Sequence, residues 1–302
     1  VVDMIVQLKD GTDTAAALED RRPVLDAIDE VVTAKPLPEP DTATPEPTPG
    51  TISLDHVAFS YEDGTPVLRD ITFAVPAKTM VALVGPSGCG KSTLLNAIAG
   101  FERLNSGTIT IDGKAVEKPE ERYVMIFQNY GLLPWRTARA NVSLGLEKRE
   151  RNRAVREQTA DHYLELVGLA AQANRFPAQL SGGQQQRVAI ARALATDPDV
   201  LFMDEPFGAL DAITRMKLQD DLLRIVREGH KTVLFVTHDL EEALFLADRI
   251  VILAPNPGRI QTVVRFQLRN QRDRTSDDFL AARDRLFELF HMKSETLLEY
   301  VI

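Results

Sequence analysis

A single cysteine, Cys89, stands in 302 residues, so no intrachain disulfide framework holds this protein together, and a reducing compartment is the expected setting. Long apolar runs are missing as well. Nowhere does the chain offer the roughly 18 to 20 consecutive apolar residues of a membrane helix. Its first residues, VVDMIVQLKD, lack the basic segment and apolar core of a secretory signal. The expectation is a protein that has no membrane helix of its own and is not exported. A surplus of positive charge is absent too: 35 Lys and Arg stand against 44 Asp and Glu, a formal net charge of −9. That balance disfavours a nucleic-acid binder working by phosphate neutralisation. There are no internal repeats. What the chain does have is 44% hydrophobic residues, ordinary for a globular protein of one large or two modest domains.

Residues 1–50 differ from the rest. Pro36, Pro38, Pro40, Pro45, Pro47 and Pro49 are interleaved with Glu, Asp and Thr, a composition that forms neither helix nor central strand and reads as an extended linker. From Lys35 to Gly50 it could reach roughly 50 Å at about 3.1 Å per residue. Before it, Leu18, Val24, Leu25, Ile28, Val31 and Val32 are spaced for one amphipathic helix within residues 15–32. A marginal or disordered tail is the alternative reading.

From Thr51 the pattern changes. Ile52, Leu54, His56 or Val57, and Phe59 approximate the alternation of a strand, whereas residues 80–84 form a continuous apolar run, as in a strand buried on both faces. Residues 123–127, 200–203, 233–236 and 250–253 are short runs of the same kind, separated by helical stretches. An α/β fold with a parallel sheet is implied. Residues 135–195 read as mainly helical, and the polar stretch 147–158 as solvated.

The chemistry is concentrated in a few motifs. Gly85-Pro86-Ser87-Gly88-Cys89-Gly90-Lys91-Ser92-Thr93 follows the buried run and opens an expected helix at residues 93–99, the context that a phosphate-binding P-loop requires. Glycines let several backbone N–H groups curl toward one phosphate, and a helix N-terminus adds partial positive charge. Lys91 would add a full charge at the β and γ phosphates, and Ser92 a hydroxyl for Mg²⁺. The bland alternative is a glycine-rich turn with a surface lysine. Cys89 lies inside the loop near a helix start and Lys91, a setting that favours thiolate, so attack by a thiol reagent and protection by Mg-ATP are expected, unless Cys89 is merely a small residue in a tolerant position. In residues 201–205, Leu-Phe-Met-Asp-Glu, an apolar strand ends in two acids at the sheet edge where the P-loop lies. Asp204 is placed for the Mg²⁺ shell. Glu205 is placed as general base toward a water. Capping of the turn Pro206-Phe207-Gly208 is the alternative for both.

Leu180-Ser181-Gly182-Gly183-Gln184-Gln185-Gln186-Arg187 precedes a strong helix at residues 188–195 and offers a second phosphate site at a helix N-terminus, built from Ser181 and the Gly182 and Gly183 amides. These residues resemble the LSGGQ signature of ABC ATPases, and the resemblance runs from about Thr51 to Ile260. It implies a RecA-like P-loop NTPase core with an antiparallel β subdomain and a helical signature subdomain. Two such subunits pack head to tail, so Ser181, Gly182, Gly183 and Gln184 of one would close over ATP held by the other. By the same resemblance Tyr61 stacks on adenine, Gln128 touches Mg²⁺ and water, Gly208-Ala209-Leu210-Asp211 forms a D-loop at the dimer seam, and His238 contacts the γ-phosphate; the alternatives are a half-exposed strand tyrosine for Tyr61 and a helix N-cap for Asp211. The chain then divides into a leader with its Pro-rich linker (1–50), a cassette (51–274, helical subdomain about 135–195) and a C-terminal helical segment (275–302).

Three weaker motifs, residues 132–137, 255–260 and 274–276, look like those of ATPases serving nitrate, sulfonate and taurine importers, and also like those of relatives serving bicarbonate or pyrimidine precursors; the Pro-rich leader departs from the usual start of that family. The implied partners are a second copy, two membrane permease chains and, through them, a periplasmic solute-binding protein, with the ATPase on the cytoplasmic face of a bacterial inner membrane. The rival is a non-transport ABC ATPase acting on DNA or the ribosome, against which stands one compact cassette with about 90 residues between Lys91 and Ser181. Residues 129–141 lead from Gln128 into the helical interval and expose Leu132, Leu133 and Trp135 to a permease helix, unless Leu132 and Trp135 fill a small core of their own. The last helix is expected from Thr275, with Asp278 completing a capping box and Phe279, Leu286, Phe287 and Phe290 on one face, packed on this chain or on a partner.

Overall fold

In the computed structural model, which describes residues 50–265 and 273–291, Ile52, Leu54, Val57 and Phe59 of β1 (Ile52–Ser60) turn inward. The parity of that alternation changes between Leu54 and Val57, where the register shifts and His56 takes φ 46°. A bulge absorbs the extra residue. Of the two candidates left open by the sequence, Val57 enters the core and His56 is exposed. β2 (Pro66–Val75) and β4 (Ser106–Ile111) flank β1 antiparallel, and β5 (Lys114–Ala115) completes a four-stranded sheet ordered β2-β1-β4-β5.

The second sheet holds β3 (Met80–Val84), β6 (Tyr123–Ile126), β7 (Val200–Asp204), β8 (Thr232–Val236), β9 (Arg249–Ala254) and β10 (Arg259–Val264), in the order β10-β9-β3-β8-β7-β6. The pairs β3–β8, β3–β9, β7–β8 and β6–β7 are parallel. Every residue of β3, β7 and β8 is buried, because both faces of the parallel sheet are covered, one of them in a core shared with the antiparallel sheet; this is why those strands read as continuous apolar runs. β2, β4, β5 and β10 escaped that reading. Their residues alternate with polar ones or stay half-exposed.

Among the described helices, α1 (Lys91–Ile98) starts two residues before the expected Thr93. α2 (Ala138–Leu144), α3 (Arg153–Leu166) and α4 (Gly182–Ala195) pack on one another in the helical interval, around fully buried Ala138, Val142, Ala160 and Leu164. Full burial of a side chain such as Leu164 stabilises by about 1.5–3 kcal/mol. Residues 147–158 are mostly exposed, as their polarity requires. α4 begins six residues before the expected Val188, because Ser181 and Gln184 cap it reciprocally: the Ser181 hydroxyl accepts from Gln184 N–H at 3.3 Å and the Gln184 carboxamide from Ser181 N–H at 3.0 Å.

Before α2, the loop 133–137 wraps a buried amide. Asn141, 0% exposed, accepts from Leu133 N–H at 2.8 Å and donates to the carbonyls of Leu133, Arg136 and Thr137 at 3.1, 3.0 and 3.1 Å. The loop so held leaves Leu132 and Leu133 partly buried and Trp135 71% exposed. Trp135 is therefore no part of a local core.

α5 (Ala212–Glu228) and α6 (Leu240–Leu246) follow β7 and β8. The described residues up to 263 form one unit, and those from 264 on belong to another. In the latter, α7 (Asp277–His291) is capped by Ser276, whose hydroxyl accepts from Phe279 N–H at 3.2 Å. The cap is thus one residue past the expected Thr275, whose hydroxyl instead donates to Asp273 at 2.7 Å. Phe279, Ala282 and Leu286 are buried while Phe287 is exposed, which removes Phe287 from the expected apolar face. The expected leader helix and most of the linker lie outside the described residues. No helix among the described residues is long and apolar enough to cross a membrane.

Candidate functional site

Strand register brings the motifs together. Leu83 of β3 and Asp204 of β7 both pair with Val236 of β8, and Ile126 of β6 pairs with Met203. Gly85, Asp204, Glu205, Gln128 and His238 therefore all emerge at the carboxyl edge of one sheet, within two or three residues of a common line. This is where an open α/β sheet binds ligands.

The loop from β3 to α1 ends at Gly90, which has φ 86° and caps the helix; a Cβ there would also stand 2.8 Å from Leu68 Cδ2, so only glycine serves. Lys91 is 8% exposed, and its ammonium donates to the carbonyls of Gly85 at 2.8 Å and Pro86 at 3.0 Å. Ser92 Oγ donates to Asp204 Oδ1 at 3.0 Å. Burial raises the Asp204 carboxyl above the usual carboxylate range, with the Ser92 hydrogen bond opposing.

Glu205 holds a left-handed backbone at φ 47°, a conformation that costs of order 1–3 kcal/mol outside glycine and asparagine. Its N–H is pinned to Val236 O at 3.0 Å. The turn swings its carboxylate between two partners: Gln128 Nε2 donates to Oε2 at 3.4 Å, and His238 Nδ1 stands 3.3 Å from Oε1. Tyr61 is 52% exposed, meets Phe59 edge-on at 5.3 Å, and brings its hydroxyl to 3.5 Å from Thr93 Oγ1. A flat aromatic face beside the first turn of α1 is thereby presented to solvent.

Not every expected residue joins this cluster. Ser181, Gly182, Gly183 and Gln184 have other neighbours, Ser181 and Gln184 bonding to each other. A Cβ on Gly183 would lie 3.1 Å from Ala209 O, and one on Gly182 would lie 3.5 Å from Tyr130 Oη. Asp211 caps α5 by accepting from Thr214 N–H at 3.0 Å, and that bond lowers its carboxyl pKa.

Cys89 corrects an expectation. It is 0% exposed, and burial raises its thiol above the usual value despite the nearby Lys91 ammonium. The thiolate that the loop's charge seemed to favour is disfavoured by desolvation.

Two contributors were missed by sequence reasoning. Gln186, 2% exposed, donates to Glu205 O at 3.0 Å and accepts from Ala209 N–H at 3.3 Å, joining the start of α4 to the segment after β7. The available signal was a polar residue three and four positions before Ala189 and Ile190 on a buried helix face. Gly258 is the other: its N–H donates to Val67 O at 2.8 Å, and a Cβ on it would stand 2.3 Å from Cys89 O. The turn 255–258 thus presses on the phosphate loop from outside.

Comparison with known proteins agrees with this geometry. Residues 68–208 match the family model described as ABC transporter. The chain is 49% identical over 221 residues to the taurine import ATP-binding protein TauB of Rhizobium johnstonii, covering 72% of this chain and 84% of that protein. It is 48% identical over 193 residues to the nitrate import ATP-binding protein NrtD of Synechococcus elongatus, covering 63% and 70%. An uncharacterised ABC transporter ATP-binding protein of Methanocaldococcus jannaschii is 46% identical over 230 residues, covering 76% and 85%. Of solved structures, the dimeric ATP-binding cassette MJ0796 bound to ADP and Pi superposes with a TM-score of 0.67 at 33% identity, covering 72% of this chain and 99% of that one. A glycine-rich loop, two acids, a glutamine and a histidine converge at one sheet edge in a chain with such relatives, and the chain belongs to the ATP-hydrolysing, ATP-binding cassette proteins of the ABC transporter family.

Proposed function

We propose that this ATPase drives uptake of a small anionic solute, of the nitrate, sulfonate or taurine class, through two separate membrane permease chains. A periplasmic solute-binding protein delivers the solute, and the ATPase works as a homodimer at the cytoplasmic face of a bacterial inner membrane. The single observation that carries the chemistry is the Glu205 carboxylate standing 3.4 Å from Gln128 and 3.3 Å from His238, next to the Ser92–Asp204 pair. The relatives named for taurine and nitrate import support the solute class.

Each residue then has a task. The backbone of Gly85, Pro86, Ser87, Gly88, Cys89 and Gly90 cradles the phosphates, Lys91 neutralises their charge, and Thr93 lies beside Tyr61, which stacks on adenine. Glu205 takes a proton from the attacking water, Gln128 orients that water, and His238 donates to the γ-phosphate, so that ATP and water leave as ADP and phosphate. Ser181, Gly182, Gly183 and Gln184 of one copy close over the nucleotide of the other, with Asp211 at the seam. A hydroxyl and a carboxylate are hard oxygen donors and fit Mg²⁺, which keeps most of its shell as water and substrate oxygen. Ser92 and Asp204 would hold it, with Gln128 acting through water. Its chemistry there is to offset phosphate charge.

Glu205→Gln tests the site. ATP binding should survive, turnover should fall about 10²–10⁴-fold, and a closed dimer should accumulate with Mg-ATP on size-exclusion chromatography. Near-normal hydrolysis would remove Glu205 from its role. For the solute, ATPase reconstituted with its permease in proteoliposomes should be stimulated by taurine, nitrate or an alkanesulfonate presented with the binding protein. Stimulation only by solutes that carry neither a sulfonate nor an oxyanion group would reject the class.

A further inference from the structure

Beneath the turn that carries His238 lies a carboxyl group that the hydrolysis site does not use. Glu242 of α6 is 7% exposed. Its Oε2 accepts from Thr237 Oγ1 at 2.5 Å, and its Oε1 from Gln219 Nε2 of α5 at 3.4 Å. The same Thr237 hydroxyl accepts from Asp239 N–H at 3.0 Å. The residues on either side of His238 are thus tied through one hydroxyl to one buried carboxyl.

Asp239 is fixed twice more. Its carboxylate accepts from Glu241 and Glu242 N–H at 2.9 and 3.1 Å, and Arg215 of α5 reaches it at 3.5 Å while donating to Leu210 O at 3.2 Å. His238 itself is 68% exposed on its side chain, so surrounding packing does little to fix its ring. Its direction toward Glu205 is set by the backbone of the turn.

We propose that Glu242 is a positioning residue for ATP hydrolysis, holding the Thr237–Asp239 turn so that His238 stands against Glu205. The inference rests on the reading of His238 as a hydrolysis residue. An apolar side chain would fill this space without the cost of burying a carboxyl; here burial pushes the group's pKa up to about 7, with Asp239 raising it further and Thr237, Arg215 and Gln219 opposing. What the carboxyl supplies and an apolar residue cannot is an acceptor for Thr237.

The test is a double-mutant cycle on the full chain: Glu242→Ala and His238→Ala, singly and together, with kcat and KM for ATP measured for each. Glu242→Ala should lower kcat about tenfold, as a displaced catalytic group does, and leave KM within about twofold. Glu242→Gln should restore kcat, because its amide oxygen accepts from Thr237 as the carboxylate does. In the His238→Ala background, Glu242→Ala should add no further loss. Losses that multiply in the double variant overturn the proposal alone, as does a Glu242→Ala effect confined to KM or melting temperature. A His238→Ala chain with near-normal kcat overturns the reading of His238, and this proposal with it. Should Glu242→Ala fail to fold, Thr237→Val breaks the same link, and the same outcomes decide.

Discussion

Cys89 and Glu242 are both buried, and desolvation raises the pKa of each, with different consequences. For Cys89 the thiol is favoured over the reactive thiolate. A thiol reagent should therefore label the native chain much more slowly than the urea-unfolded chain at the same pH, with or without Mg-ATP. Fast native labelling that Mg-ATP suppresses would restore the reactive loop cysteine expected from the motif. For Glu242 the consequence is a pH dependence of stability. Its folded pKa of about 7 exceeds the ordinary 4.5, so between these values the unfolded chain releases a proton that the folded chain keeps. The contribution is full below pH 4.5 and lost as pH rises through 7, a change of roughly 3 kcal/mol. Urea unfolding of the wild type and Glu242→Gln at pH 4.5, 6 and 8 should show the wild type losing that much relative to the variant, which cannot titrate. A difference independent of pH would mean that Glu242 has the same pKa in the folded and unfolded chains.

At the scale of elements, two loops are shaped by groups outside them. The Asn141 side chain bonds four backbone groups of residues 133–137; Leu133 O and Thr137 O also accept from Arg136 N–H and Asn141 N–H, so Asn141→Ala should cost about 1–3 kcal/mol through the loss of the bonds to Leu133 N–H and Arg136 O. Chemical denaturation measures this directly, and a loss below about 0.5 kcal/mol would show that water replaces the amide. Gly258 presses on the phosphate loop, and the Cβ of Gly258→Ala would stand 2.3 Å from Cys89 O and 3.0 Å from Val67 O. Neither neighbour is a flexible side-chain end. The variant should lose about 1–3 kcal/mol of stability and bind ATP more weakly in calorimetry. Unchanged affinity would mean that the turn moves away and the phosphate loop does not.

For the whole molecule, Trp135 is the exposed end of a segment that begins beside Gln128, and it sits at 71% exposure on a loop held from within. Leu133 and Arg136 make poorer probes of a permease surface than Trp135. Leu133 is tied to Asn141, and Arg136 pairs with Glu147 at 2.5 Å. Trp135→Glu should leave the isolated ATPase folded and active while abolishing co-purification with the permease. Retained assembly and transport-coupled hydrolysis would place the interface elsewhere. Deletion of residues 1–48, which carry none of the nucleotide motifs, should leave basal ATPase largely intact, and loss of folded protein would show the leader to be part of the core.

The sequence by itself determined the chemistry and the central sheet. Residues 85–93, 180–187 and 201–205 are local motifs whose meaning lies in consecutive residues, and strands buried on both faces announce themselves as unbroken apolar runs. Ser181 and Gln184 spell out the start of α4 as a capping box within four consecutive residues. Only the tertiary structure decided the rest. β2, β4, β5 and β10 are half-exposed, so their patterns do not separate strand from loop. Val57 rather than His56 enters the core because a bulge shifts the register. Cys89 is enclosed by the fold, which raises its thiol pKa, although its neighbours in sequence promise the opposite. Gln186, Gly258 and Glu242 act on residues that are near in space through backbone turns and helix packing, and spacing along a chain does not record the distance between a carboxyl and the hydroxyl it will meet.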